Sequence, residues 1–474
     1  MGLLPPTDSM YLIAESRDTP MHVGGLQIFD VPEGAGPGWV GDQFEAMLEH
    51  DHDVAPLFSK RPYRSIATGA QWAWRNDDEF DLEYHVRRSA LPAPGGRREL
   101  FALGSRLHGS LLDRQRPLWE LHLIEGVGER GFAMYTKIHH GLLDGVSALR
   151  LLEHSLSPDP QAHVAPPWTY RRQRSDAGSE GFNPLAVAVE AARAGVDLAL
   201  FPPVVVKAAR RAMSEPLAAF PFKAPPSMFN VHITGARRLA ADSWSLSRVK
   251  GLARSAGVTV NDVALAMCAG ALRSYLSEQG ALPDEPLVSM VPVSLRLDDS
   301  AGGNAVGAVL TSLATDVADP VVRLERIRES MVIAKESIRE LSPLQILAMS
   351  ALNMVPAPIM SMLGGGENLR PPFNLIISNI PGPRNALYMN GARLRSVYPA
   401  SIPYHGQALN ITFTSYGDDL QFGLTGCRRR VPSLQRILIH LESTLVELES
   451  ALGLAESPAS RRSSAARKRA DTAG

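Results

Sequence analysis

Between Ser157 and Phe222 the texture of this chain breaks, and it restarts afterwards. Before the break, short apolar runs at Gly24–Phe29, Leu118–Ile124 and Phe132–Ile138 read as strands. They alternate with helix-like runs at Asp42–Glu49, Phe101–Leu112 and Val146–Leu156. The break opens with Ser157-Pro158-Asp159-Pro160 and Pro166-Pro167. A polar run and a helical run follow, and it closes in the proline-rich Pro216–Pro226. The restart offers strands at Phe229–Ile233, Leu239–Trp244, Leu287–Val293, Phe373–Ile377 and Leu409–Ser415. Helices are expected at Leu246–Ser255, from Asn261 through Leu276 with Thr259 or Asn261 as cap, at Val321–Arg339 behind Pro320, and at Ser433–Leu452. Two alternating halves across a long connection imply a mixed α/β (α+β) protein of two similar-sized lobes. The expected division is 1–170, a crossover at 171–226, a second lobe at 227–455 and a basic tail at 456–474.

A length of 474 residues, 45% of them apolar, suits a large core. A net charge of −1 gives no reason to expect a nucleic-acid partner. Cys268 and Cys427 are far apart, which argues against a disulfide framework and fits structural thiols in a reducing compartment. The opening Met1-Gly2-Leu3-Leu4-Pro5-Pro6 lacks a basic segment and a long apolar run, so no secretory signal is expected. Val187–Val206 carries Glu190, Arg193 and Asp197 and is broken by Pro202 and Pro203. Leu344–Leu363 is uncharged but holds Pro356 and Pro358. Neither reads as a clean transmembrane helix; both fit lipid-facing or buried core helices. The tail, with Arg461, Arg462, Arg467, Lys468 and Arg469, is either solvated or drawn to an anionic surface.

The candidate chemistry is concentrated in His139-His140-Gly141-Leu142-Leu143-Asp144-Gly145, between an expected strand and an expected helix. Three readings fit it. As a metal site, His139, His140 and Asp144 would be ligands, but no further cluster has ligand spacing and His-Glu-x-x-His is absent. As a structural pair, the histidines would sit beside an Asp-Gly turn. As a general base, a histidine at a strand exit takes and returns a proton near neutral pH. No Gly-x-Ser-x-Gly elbow, Walker loop or dinucleotide fingerprint accompanies it.

The motif resembles the His-His-x-x-x-Asp-Gly signature of CoA-dependent acyltransferases. Further segments resemble the bacterial wax ester synthase/diacylglycerol acyltransferase family. These are Asp8-Ser9-Met10-Tyr11-Leu12, Pro20 to Gly25, Pro117-Leu118-Trp119-Glu120, Asn261-Asp262-Val263, Val291 to Arg296, Gly303-Asn304, Ser378 to Pro383 and Ser415-Tyr416-Gly417. The resemblance spans roughly residues 3 to 452. It implies two chloramphenicol acetyltransferase-like lobes with a tunnel between them. The implied donor is long-chain acyl-CoA as co-substrate, with no other cofactor and no metal. The acceptor is diacylglycerol or a long-chain fatty alcohol. His140 is implied as general base, His139 as supporting residue and Asp144 as an architectural residue paired with an arginine, for which Arg296 is the candidate. Gly141, Asn304 and Asn379 are candidates to bind substrate or the oxyanion. The resemblance also implies a cytoplasmic protein held peripherally at the inner membrane face or on lipid droplets. Two alternatives stay open: a condensation-type enzyme using carrier-bound acyl groups, and a non-catalytic lipid-binding protein of the same fold.

Overall fold

The computed structural model describes residues 2–4, 6–171, 219, 221–294, 306–339, 345 and 370–454. The Val187–Val206 run, Arg296, Asn304, nearly all of Leu344–Leu363 and the basic tail lie outside these residues.

Fifteen strands form three sheets among the described residues. The first six-stranded sheet contains β2 (His22–Asp30), β5 (Val86–Ala90), β6 (Trp119–Val127), β7 (Gly131–His139), β12 (Tyr388–Met389) and β13 (Ala392–Ala400), in the order β12-β13-β2-β7-β6-β5. The second contains β8 (Arg237–Ser245), β9 (Val288–Ser294), β10 (Val306–Ser312), β11 (Leu375–Ile380), β14 (Leu409–Tyr416) and β15 (Asp419–Cys427), in the order β10-β9-β11-β14-β15-β8. A small sheet joins β1 (Gly2–Leu3), β3 (Lys60–Arg64) and β4 (Trp72–Asn76). The helices are α1 (Pro6–Ala14), α2 (Trp39–Leu48), α3 (Leu82–His85), α4 (Arg97–Gly109), α5 (Gly145–His154), α6 (Leu246–Ala256), α7 (Val260–Glu278), α8 (Pro320–Arg339) and α9 (Arg436–Ala451).

β7 shows why the first sheet forms. Nearly every residue in it is buried, because both faces of the sheet are covered. Tyr135, Lys137 and His139 face one way. Tyr135 and Lys137 meet α4 there: the Tyr135 hydroxyl bonds His108, and Lys137 Nζ donates to the Leu107 carbonyl. Lys137 Nζ also lies 2.9 Å from Glu120 Oε2 on β6, a fully buried ion pair. Thr136, Ile138 and His140 face the other way, into a cavity. In the second half, α7 is buried around most of its circumference. Thr259 caps it: Asp262 N–H donates to Thr259 Oγ1, and Thr259 N–H donates back to the Asp262 carboxylate. Cys268 and Cys427 are buried free thiols.

Two of the differences from the expectation bear on the core and on the join between the halves. Phe229–Ile233 is not a strand. Its apolar side chains Phe229 and Ile233 enter the core from an irregular segment, which Asn230 pins by donating to the carbonyls of Phe373 and Gly406. Buried residues spaced by such a loop mimic strand alternation. The second difference is β13, which lies within the expected second lobe but pairs antiparallel with β2 of the first, Arg393 opposite Asp30 through Ala400 opposite Gly24. β13 also crosses β15, where Gly423 permits the approach; a Cβ there would collide with the Pro399 carbonyl. The halves are further joined by Leu239 N–H donating to Ser105 Oγ at 2.8 Å and Arg97 donating to the Ala241 carbonyl at 2.7 Å.

Candidate active site

The expected strand–turn–helix is present. β7 pairs with β2 up to His139 opposite His22. His140 N–H then donates to the Met21 carbonyl at 2.8 Å, and Leu142 N–H turns back onto the His139 carbonyl at 2.9 Å. Asp144 is the N-cap of α5, with Oδ1 accepting from Ser147 N–H at 2.7 Å. An aspartate there satisfies an orphan amide and places negative charge on the helix N-terminus. The motif thus builds its own corner.

The two histidines diverge because consecutive strand positions face opposite sides. His140 lines the cavity. Its ring stacks on Tyr11 of α1, centroids 4.1 Å apart and planes 21° from parallel. Burial lowers its pKa below 6.5, against the opposing pull of the Asp144 charge, so the imidazole is neutral at pH 7. The Tyr11 phenol is pushed up to about 12 by burial and by Asp8 and Asp144. Tyr404, also on the cavity wall, is raised further by burial and by Tyr11. Both phenols therefore remain protonated, Tyr11 against the His140 ring and Tyr404 elsewhere on the cavity wall.

His139 is fully buried on the other face. Its Nδ1 accepts from Gly141 N–H at 3.0 Å, and its Nε2 lies 3.6 Å from Glu15 Oε1. Burial, then His140 and Arg114, hold its pKa at about 3. The Gly141 amide is consequently engaged within the motif, and Gly141 is not on the cavity wall. This corrects the expectation that it faces substrate.

Asn379, at the end of β11, does line the cavity, and its Nδ2 donates to Asn261 Oδ1 at 3.2 Å. Asn261 is thus in the first turn of α7, with Thr259 as the cap. Trp119 is core, its Nε1 donating to the Phe58 carbonyl at 2.8 Å. His22 and His405 are structural. His22 Nε2 bonds the His108 carbonyl, and His405 Nδ1 accepts from Ile233 N–H.

The cavity holds about 750 Å³ and lies between the two halves. Val23 and Ile138 come from the first sheet and Met21 immediately precedes its β2, Leu149 and Leu152 come from α5, and Met290 and Ile376 from the second sheet. The volume lies in the upper part of the roughly 300–1,000 Å³ usual for a small-molecule site. Gly24 and Gly25 keep the β2 wall thin; a Cβ on Gly25 would approach Leu152 Cδ1 to 3.1 Å. Met10 and Ile13 of α1 line the cavity and are also exposed, so they form part of its rim. Among the described residues, no group of three His, Cys, Asp or Glu side chains is placed to hold a metal ion, and no single helix is long and apolar enough to cross a membrane.

Nothing in the sequence marks Tyr404 or Glu15, and the one signal for Tyr11 is its place in the segment Asp8–Leu12.

Residues 4–264 match the wax ester synthase/diacylglycerol acyltransferase catalytic domain, and residues 302–449 match the WS/DGAT C-terminal domain. A probable diacylglycerol O-acyltransferase of Mycobacterium tuberculosis is 52% identical over 447 residues, 94% of this chain and 98% of that protein. The wax ester synthase/diacylglycerol acyltransferase structure from Marinobacter aquaeolei VT8 superposes with a TM-score of 0.76 at 42% identity, covering 96% of this chain and 100% of that one. The starter condensation domain of rhizomide synthetase shares the fold at 14% identity, with a TM-score of 0.56 over 95% of this chain and 94% of that one. With its two six-stranded sheets and its His-His-x-x-x-Asp-Gly corner on a shared apolar cavity, the chain belongs to the wax ester synthase/diacylglycerol acyltransferase family.

Proposed function

We propose that this protein is an O-acyltransferase that moves a long-chain acyl group from acyl-CoA to diacylglycerol, a long-chain fatty alcohol, or both. The observation that carries this reading is a neutral, stacked His140 on the wall of a large apolar cavity. The imidazole takes the proton of the acceptor hydroxyl as that oxygen attacks the thioester carbonyl carbon. The tetrahedral intermediate collapses with cleavage of the carbon–sulfur bond. The CoA thiolate leaves, and the imidazolium returns the proton to sulfur. Such positioned proton transfer contributes roughly 10²- to 10⁴-fold. Asn379 is the described candidate donor to the oxyanion. Asp144 holds the corner and favours the imidazolium as it forms.

Both substrates of such a reaction carry long apolar chains, and the cavity wall is mostly apolar. The exposed Met10 and Ile13 at the rim support docking against a membrane face or lipid droplet, so that the acceptor enters from a lipid phase.

Purified protein incubated with labelled palmitoyl-CoA and either diacylglycerol or hexadecanol should yield triacylglycerol or wax ester. His140→Ala, still folded, should lose all but a trace of product. Equal product from the two proteins would remove His140 from the chemistry. Transfer from an acylated carrier protein but from no CoA donor would replace the lipid reading with a condensation-type one.

A further inference from the structure

Glu15 follows α1 directly, and its side chain is only 2% exposed. Its carboxylate meets three groups. Oε1 accepts from the main-chain N–H of Met21 at 3.1 Å and lies 3.6 Å from His139 Nε2. Oε2 accepts from Arg114 Nε at 2.9 Å. Met21 is the residue whose carbonyl accepts the N–H of His140. His139 is the residue whose Nδ1 accepts the N–H of Gly141. The peptides on both sides of His140 are therefore tied, each through one intermediary, to a single buried carboxylate.

The tautomer of His139 decides whether the second tie exists. A neutral imidazole has one N–H and one lone pair. Gly141 N–H points at Nδ1, so Nδ1 must carry the lone pair and Nε2 the proton. Nε2 has no hydrogen-bond partner, and the facing anion is Glu15. With both side chains buried, that carboxylate sets the electrostatic preference for the proton. The other tautomer would direct Nδ1–H against Gly141 N–H. The two donors would push apart and rotate the peptide that carries His140. Arg114 neutralises Glu15, so the carboxylate orients the Nε2–H bond without drawing a second proton onto the ring.

We infer that Glu15 is a positioning residue for acyl transfer: it fixes His139 as the Nε2–H tautomer and thereby sets the loop that aims His140. This rests on the reading of His140 as general base.

The test uses the full-length enzyme with palmitoyl-CoA and the better of diacylglycerol and hexadecanol. Glu15→Met fills similar space without an acceptor, whereas Glu15→Gln keeps a carbonyl for both Met21 N–H and His139 Nε2–H. Misplacing a catalytic group by about 1 Å costs on the order of 10²-fold. Glu15→Met should therefore lower kcat about 10- to 100-fold, with KM for either substrate changed less than about twofold. Glu15→Gln should recover most of that loss. Spectra of ¹⁵N-histidine protein should show His139 as the Nε2–H tautomer in wild type and Glu15→Gln, and as a mixture in Glu15→Met. In a His139→Asn background, whose amide oxygen offers Gly141 an acceptor without a tautomer, Glu15→Met should cost no further kcat.

A wild-type kcat in Glu15→Met overturns the inference. Equal loss in the Gln and Met variants with His139 unchanged also overturns it. Should Glu15→Met fail to fold, the wild-type spectrum still decides, because a His139 protonated on Nδ1 is incompatible with the role. An active His140→Ala removes the general-base reading itself. An inactive His140→Ala beside a fully active Glu15→Met removes only the role of Glu15.

Discussion

The ring of Tyr11 lies face to face on that of His140, at 4.1 Å between centroids. It excludes water from one side of the imidazole and presents a π face that steadies the imidazolium as it forms. The first effect favours a neutral base at rest. The second favours the cation only during transfer.

The acid limb of kcat/KM should therefore lie below pH 6.5. Burial lowers the His140 pKa, and the active form is the neutral one, so activity persists as pH falls through 6.5 and is lost below it. Tyr11→Phe should keep this limb. Tyr11→Ala admits water, so its limb should move up towards 6.5. A wild-type limb at or above 6.5 contradicts the burial of His140.

Asp144→Ala should cost about 1 kcal/mol of stability by denaturant titration, because Ser147 N–H loses its acceptor at the start of α5. Asp144→Asn retains an acceptor oxygen and should lose less. Equal stability of all three proteins would mean that the cap is dispensable.

Ala148 lies on α5, one turn beyond Asp144, and lines the cavity. Ala148→Leu should take up cavity length without touching His140. Competition between acyl-CoA donors of different length should then shift towards shorter chains by severalfold in kcat/KM. An unchanged length profile would place the acyl chain elsewhere.

Lys137→Met should leave the Glu120 carboxylate buried without its ammonium and cost on the order of 3–5 kcal/mol. Lys137→Met with Glu120→Gln removes both charges and should be more stable than Lys137→Met alone. A double variant no better than the single would show that the pair is not energetically coupled.

Stability should fall on mild acidification. His108 and His139 are held at about 3 chiefly by burial, and His22 is also pushed well down. Between pH 6.5 and about 3 the unfolded chain binds protons at these sites and the native state does not, so stability declines as pH falls. Each histidine contributes on the order of 1 kcal/mol per pH unit in that window. A melting temperature unchanged from pH 7 to 5 would show that these rings are accessible to protons in the native state.

The corner around His140 was legible in the sequence because its chemistry is local. A strand, two histidines, an Asp cap and a helix follow one another within a few residues. Most strands and helices near it were legible from periodicity for the same reason. Tyr11 and Glu15 were not, since they act on residues far along the chain and α1 is short and mixed in polarity. β15 was missed because Gly423 and Gly426 dilute its strand signal, and Gly423 is there to admit the β13 backbone. The Gly141 amide looked available only because sequence does not reveal which way His139 turns.

β13 ties the order of synthesis to the order of folding. Its partner β2 ends at Asp30, whereas β13 begins at Ala392. A nascent chain therefore leaves the ribosome with one edge of its first sheet open until nearly all of it has been translated. Such an edge is a template for pairing with other chains. The two halves cannot mature as separate modules. A fragment that stops before Ala392 is left with an adhesive strand edge on an otherwise assembled sheet.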